Sequence, residues 1–340
     1  MNRPLISIIV PLYNSQEFFT ESLASLCAQT YENIEILCID DASSDDTPKL
    51  LQHLADRDGR IRFELNRVNH GPGWVRNRGI LLSRGRYLTF FDHDDLADPC
   101  WIEALFNCIR QHGTAIAMCQ GAEFSSALSQ AKVLSFKDFA GPVVPVGKAC
   151  NEDLFTTCLP PWLKIYDRQF IVDHAIKFAE DRNRFDDVLF HFFCMVYAKK
   201  ISVVGRVLYY HRSWPGSISG QARENRDDYF DHLKTLASVM EKATRDGLDV
   251  SKILAVFLPF VRYHAGLVSS RRVFFRQLGE ILREVNLPWR YRPKLLDLLP
   301  WQLRRIGYAC ELFLLDNDRF FDKWGRGGRP TPSPGRYPPC

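Results

Sequence analysis

Residues 86–96 read RYLTFFDHDDL: an apolar run broken off by three carboxylates, Asp92, Asp94 and Asp95, within four residues. Like charges this close repel one another and are costly to desolvate. Two readings follow, a solvated turn or a set of hard oxygen donors suited to a divalent cation. The fold is decided by the recurrence of the pattern. LISIIV (5–10) is a nearly continuous apolar run that ends in PLYN, and IEILCID (34–40) leads into DDASSDD (40–46). Such short apolar runs fit strands covered on both faces, as in a parallel sheet.

Helical patterns alternate with these strands. NSQEFFTESLASLCAQ (14–29) places Phe18, Leu23, Leu26 and Cys27 at helical spacing. SSDDTPKLLQHLADRDG (43–59) has a Ser/Asp cluster, Pro48 near the first turn, an apolar stripe and a closing Gly59. IRFEL (61–65) is a third strand, GPGWVRNRGILLSRG (71–85) a helix entered through glycines, and YLTFF (87–91) a fourth strand. PCWIEALFNCIRQHG (99–113) is a helix started by Pro99, and AIAMC (115–119) a fifth strand. The alternation predicts an α/β fold: a mostly parallel sheet with helices on both faces, and ligands bound beyond the carboxyl ends of its strands.

Residues 121–160 look irregular. From 162 a second pattern begins, WLKIYDRQFIVDHAIKF, followed by the helical stripe of EDRNRFDDVLFHFFCMVYAKK (180–200) and a strand, ISVVGRVLYYHR (201–212). SWPGSISGQARENRDD (213–228) is a turn-rich loop. The predicted organisation is a catalytic-type α/β domain over 1–228, a helical basic region over 229–325, and a tail over 326–340 whose composition is that of disorder.

Charge and cysteine usage narrow the class. The 340-residue chain has a net charge of +4, but residues 241–340 hold 18 Lys/Arg against 10 Asp/Glu. A basic, aromatic-containing end fits an anionic membrane surface, or helices packed with solvated charges outward. No recognition module precedes it, which argues against nucleic acid. The ten cysteines include no CxxC and mostly sit among apolar residues, as expected of buried thiols in a reducing compartment. The N-terminal apolar segment is too short for a signal peptide, and no window approaches the ~20 apolar residues of a spanning helix. The expected location is cytoplasmic, with peripheral contact at the inner face of the membrane.

The strand ends together suggest a chemistry. Asp92, Asp94 and Asp95 offer oxygens suited to Mg²⁺ or Mn²⁺, and a cation there would bridge the phosphates of a nucleotide. Asp40 and Asp41 can accept from a base or ribose, Tyr13 can stack on a base, and Arg76 can meet a phosphate. Each cluster alone is ordinary turn chemistry; three at successive strand ends of one sheet favour a site. There is no GxGxxG after the first strand and no GxxxxGK[ST], which argues against a dinucleotide fold and a P-loop.

ISIIVPLYN, QTYENIEILCIDDASSDDT, NHGPGWVRNRGI and GRYLTFFDHDD, in this order, closely resemble the family 2 glycosyltransferases of GT-A fold, over roughly residues 5–220. Ala42 stands where that family usually has glycine, Val75 where it has alanine, and His93 where it has serine or alanine. The resemblance implies that Pro11, Tyr13, Asp40 and Asp41 line a nucleobase pocket and that Arg76 lies near the nucleotide. It implies that Asp94 touches ribose or metal, that Asp95 is the firmest metal ligand, and that Asp92 belongs to the same motif. KIYDRQFIVDHAIKFAEDRNRFDDVLF resembles the family segment whose second paired carboxylate is the general base, implying Asp187 for that role with Asp186 beside it. YYHRSWPGSIS resembles a loop of that family, from which His211 or Arg212 can reach the diphosphate once the loop closes, His211 can complete the metal shell, and Trp214 either stacks on the acceptor or is a buried packing residue. The donor implied is a nucleotide-sugar, most often a UDP-sugar, and the acceptor a hydroxyl of a glycan or lipid-linked glycan in surface polysaccharide synthesis. The rivals are a catalytically silent sugar-nucleotide-binding scaffold, disfavoured by the presence of both carboxylate sets, and a nucleotidyltransferase, which would need a Gly-rich basic loop where PLYNSQEFF stands.

Overall fold

A computed structural model describes residues 3–134, 141–146, 160–180, 186–217 and 231–249. The chain divides into two compact units, 1–217 and 218–340. In the second, the described part is a helix, Asp231–Arg245, with Lys242 and Arg245 in its last turn. The expected boundary at 228, the basic stretch beyond 249 and the tail lie outside the described residues. Among the described residues, no helix is long and apolar enough to cross a membrane.

The first unit is built on one sheet. Its strands are β1 (Ile6–Leu12), β2 (Ile34–Asp40), β3 (Ile61–Leu65), β4 (Tyr87–Phe90), β5 (Leu96–Ala97), β6 (Ile116–Phe124), β7 (Lys132–Val133), β8 (Val143–Pro145), β9 (Lys164–Asp167) and β10 (Lys200–Arg212). Its helices are α1 (Phe19–Cys27), α2 (Thr47–Ala55), α3 (Pro72–Leu82), α4 (Trp101–His112), α5 (Arg168–Asp173) and α6 (Asp186–Tyr197). The spatial order is β3-β2-β1-β4-β9-β6-β10-β5, with β7 on β6 and β8 on β10. β3, β2, β1 and β4 run parallel, as the apolar runs predict, and every residue of β2 is buried. The sheet is mixed beyond them. β9 lies antiparallel between β4 and β6, and β5 pairs antiparallel with β10. KIYD is too short to show a period, and its Lys164 is fully buried with Nζ donating to the Pro160 carbonyl at 2.8 Å.

The order of the strands fixes where a ligand can enter. The chain moves outward from β1 through β2 to β3, then returns to the other side of β1 with β4. Carboxyl ends part at such a reversal, and a crevice opens there. Tyr13 follows β1, Asp41 follows β2 and Asp92 follows β4, so the polar clusters sit together at this switch point.

Close packing brings α6 to the same edge. Phe178 and Phe190 stack at 4.0 Å, and Phe90 at the end of β4 meets both edge-on, at 4.9 and 5.4 Å. Gly73, in the first turn of α3, is needed here: a Cβ would lie 1.8 Å from the Ala179 carbonyl oxygen. The Ala179 N–H in turn donates to the Asp186 carbonyl at 3.1 Å, so the start of α6 is held against the start of α3.

Ala42, which replaces a family glycine, sits at φ 61°. A side chain in this left-handed region costs about 1–2 kcal/mol, of which glycine would lose part through its freer unfolded chain. Ala42→Gly is therefore expected to raise stability by about 0.5–1 kcal/mol, measured by urea unfolding.

Candidate functional site

The loops after β1 and β2 are knitted into one floor. Asn14, at φ 50°, donates its N–H to Ser43 Oγ at 2.8 Å and accepts the Ser44 N–H at 2.9 Å. Asparagine tolerates this conformation because its short side chain bonds locally. Asp40 accepts from the Ser43 N–H at 3.1 Å. Asp41 accepts from Asn66 Nδ2 at 2.9 Å, from the His70 N–H at 3.0 Å and from the Gly71 N–H at 2.7 Å. Both carboxylates are buried, and Asp41 anchors the turn that leads into α3. Pro11 lies within β1, and Tyr13 presents its ring to solvent, 50% exposed.

The acidic turn after β4 is held by β10. Asp95 has no exposed surface; it accepts from the Tyr209 hydroxyl at 2.7 Å, the Arg212 N–H at 2.7 Å and His211 Nδ1 at 3.1 Å. Burial pushes the Asp95 carboxyl up to about 6, with the His211 charge and hydrogen bond holding it back. Burial acts to lower His211, but the Asp95 charge and hydrogen bond raise it to about 9. Near neutral pH the two form an ion pair. Asp94 accepts from Trp214 Nε1 at 2.7 Å, and Asp92 accepts from Arg76 at 2.9 Å.

Arg76 links this turn to α6. It donates to Asp186 at 2.6 Å as well as to Asp92, and its Nε is buried without a partner among the described residues. Burial opposes its charge, but Asp186, Asp92 and Asp187 more than restore it and raise its pKa. Asp186 is thereby pinned. Asp187 is partly buried, and no hydrogen bond engages its carboxylate among the described residues. Burial, then the neighbouring Asp186 charge, push Asp187 up to about 7, against the pull of Arg76 and Lys164.

Among the described residues, no three His, Cys, Asp or Glu side chains converge as a metal cage. Asp92, Asp94 and Asp95 each face a different protein donor. The donor chemistry nonetheless suits a hard cation. Asp95 Oδ1 and His211 Nδ1 are 3.1 Å apart, close to the ~3 Å edge of an octahedron with ~2.1 Å ligand bonds. Asp94 and Asp92 stand beside them in the same turn.

Two loop residues are engaged within the protein. Arg212, expected at a diphosphate, lies between the rings of Phe18 and Phe124, 4.5 and 4.6 Å from their centroids, and donates to Glu21 at 2.7 Å and to the Asp94 carbonyl. Two π faces and a carboxylate hold that cation in the wall. Trp214, expected on an acceptor, meets Phe18 edge-on at 5.2 Å and bonds Asp94. Tyr209, Trp162 and Glu21 were not singled out from sequence. For Tyr209 the signal was available, since it alternates with His211 on one strand face.

Residues 7–146 match the model of Glycosyl transferase family 2. An uncharacterized glycosyltransferase, EpsJ, of Bacillus subtilis is 29% identical over 224 residues, 64% of this chain and 63% of the relative. An uncharacterized glycosyltransferase of Haemophilus influenzae is 37% identical over 112 residues, 33% of this chain and 45% of the relative. The chain thus spans less than two thirds of the length of either relative. The crystal structure of Staphylococcus aureus TarS 1–349 in complex with UDP-GlcNAc superposes with a TM-score of 0.70 at 21% identity, covering 94% of this chain and 90% of that one. At this identity the likeness is one of fold.

Proposed function

We propose, from the match of residues 7–146 to the Glycosyl transferase family 2 model, that the chain is an inverting glycosyltransferase that moves a sugar from a nucleotide-sugar, most simply a UDP-sugar, to a hydroxyl of a glycan acceptor. Surface polysaccharide is the expected setting, and a lipid-linked glycan is one form the acceptor takes. The observation that carries the reading is Asp187: a carboxylate without a hydrogen-bond partner among the described residues, raised to about 7 beside an Asp186 held by Arg76. A base is most effective when its pKa lies near the working pH.

In the step proposed, the acceptor oxygen attacks the anomeric carbon from the face opposite the diphosphate. The new C–O bond forms as the old one breaks, the hydroxyl proton passes to Asp187, and the electron pair leaves on the diphosphate oxygen. Tyr13 stacks on the base, while Pro11, Asp40 and Asp41 shape the pocket under it. Arg76 holds Asp186 and Asp92 in place by hydrogen bonds, which leaves Asp187 as the carboxylate that takes the proton. A Mn²⁺ or Mg²⁺ ion would be held by Asp95 and His211 with Asp94 and Asp92, and would neutralise the charge of the departing diphosphate. The proposed contact with an anionic membrane rests on the basic residues beyond 249.

The test is hydrolysis and binding of a panel of UDP-, GDP- and dTDP-sugars, with and without Mn²⁺ or Mg²⁺. Release of sugar from one donor is expected. Binding of a donor without turnover, with or without acceptor glycans, would instead favour a silent sugar-nucleotide-binding protein. Absence of both would overturn the transferase reading.

A further inference from the structure

We infer that Tyr209, seated on Trp162, is a positioning residue that presets Asp95 and His211 for a divalent cation; the inference rests on the function proposed above. Tyr209 is fully buried near the end of β10. Its hydroxyl is the only part that is polar, and it serves both ends of the acidic turn. It donates to Asp95 Oδ2 at 2.7 Å and accepts the Asp92 N–H at 3.2 Å. One oxygen thereby sets the distance across Asp92–Asp95, the turn whose carboxylates are the candidate ligands.

The ring is not free to tilt. Trp162 stacks on it at 4.3 Å with 14° between planes, and Phe91 and Trp101 meet it edge-on, each at 5.5 Å. Tyr209 and His211, two residues apart, share a face of the strand. Trp162 stacks on His211 as well, at 5.5 Å and again with 14° between planes. One indole therefore fixes the planes of the two side chains that meet Asp95. A carboxylate held in this way is ordered before a cation arrives, and loss of such an outer partner costs typically about 10–100-fold in metal affinity.

The experiment is Tyr209→Phe, which removes only the hydroxyl, followed by EPR of Mn²⁺ binding with and without UDP. The expected result is about 10–100-fold weaker Mn²⁺ binding. A far-UV and near-UV circular dichroism spectrum like that of wild type would show that the fold is retained. Mn²⁺ affinity equal to wild type would overturn the inference while leaving the transferase reading intact. No Mn²⁺ binding by wild type, with UDP bound, would overturn the cation site itself and the inference with it. Should Tyr209→Phe fail to fold, Trp162→Phe keeps the hydroxyl and loosens its seat. Weaker Mn²⁺ binding by that variant would support the inference, and unchanged binding would overturn it.

Discussion

Replacing Asp187 by Asn is expected to lower kcat by about 10²- to 10⁴-fold, the range contributed by a positioned general base, with donor affinity little changed. The same variant should be more stable than wild type at alkaline pH. In the folded chain the Asp187 carboxyl is raised to about 7, from 3.8 for a free aspartate. The folded state therefore holds a proton that the unfolded chain has released, and wild-type stability falls as pH rises through that window. An asparagine carries no such penalty. The gain should be absent below about pH 4, grow up to about pH 7 and then level off. Thermal melts across this range, paired with kcat, check both halves. The wild-type rate should itself rise through about pH 7 as the base ionises. A variant that loses stability and activity together at every pH would mark Asp187 as a structural carboxylate at a helix start.

Replacing Arg76 by Met is expected to cost about 3–5 kcal/mol near neutral pH, the usual price of leaving a buried charge without its partner. Arg76 is 11% exposed at its side chain and Asp186 only 7%, so water screens little of the interaction. Asp186 and Asp92 both lose a hydrogen bond, and Asp186 and Asp187 lose the nearby cation that opposes the rise in their pKa. Both carboxyls should then shift further upward in the variant. Because protonation removes the uncompensated charge, the loss of stability should shrink as pH falls. Urea unfolding at about pH 5 and about pH 8 measures the difference. In material that remains folded, the acid limb of the pH–rate profile should move to higher pH. A cost below about 1 kcal/mol, the range of exposed ion pairs, would contradict the bridge between the acidic turn and α6.

Much of this was legible in the sequence for a local reason. LISIIV, IEILCID and YLTFF are short and apolar throughout because their strands are covered on both faces, and covered strands can be read without their neighbours. The acidic turn was legible because carboxylates crowd within four residues after a buried strand. Asp187 and Asp186 could be named as a pair on a helical stripe, and the family resemblance implied Asp187 as the base, but the local sequence held no physical reason for that choice. Adjacent residues of one type look alike until packing delivers Arg76 to one and leaves the other open. The insertion of β9 between β4 and β6 was equally hidden, since strand order depends on contacts between residues 75 positions apart, such as Thr89 Oγ1 with the Lys164 carbonyl. The sequence by itself thus determined which segments are strands and where polar groups gather at their ends, because period and apolarity are local. Only the tertiary structure decided that Tyr209 holds Asp95, that Arg212 is spent in the wall and that Asp187 is the carboxylate left free, because burial and charge compensation belong to neighbours in space.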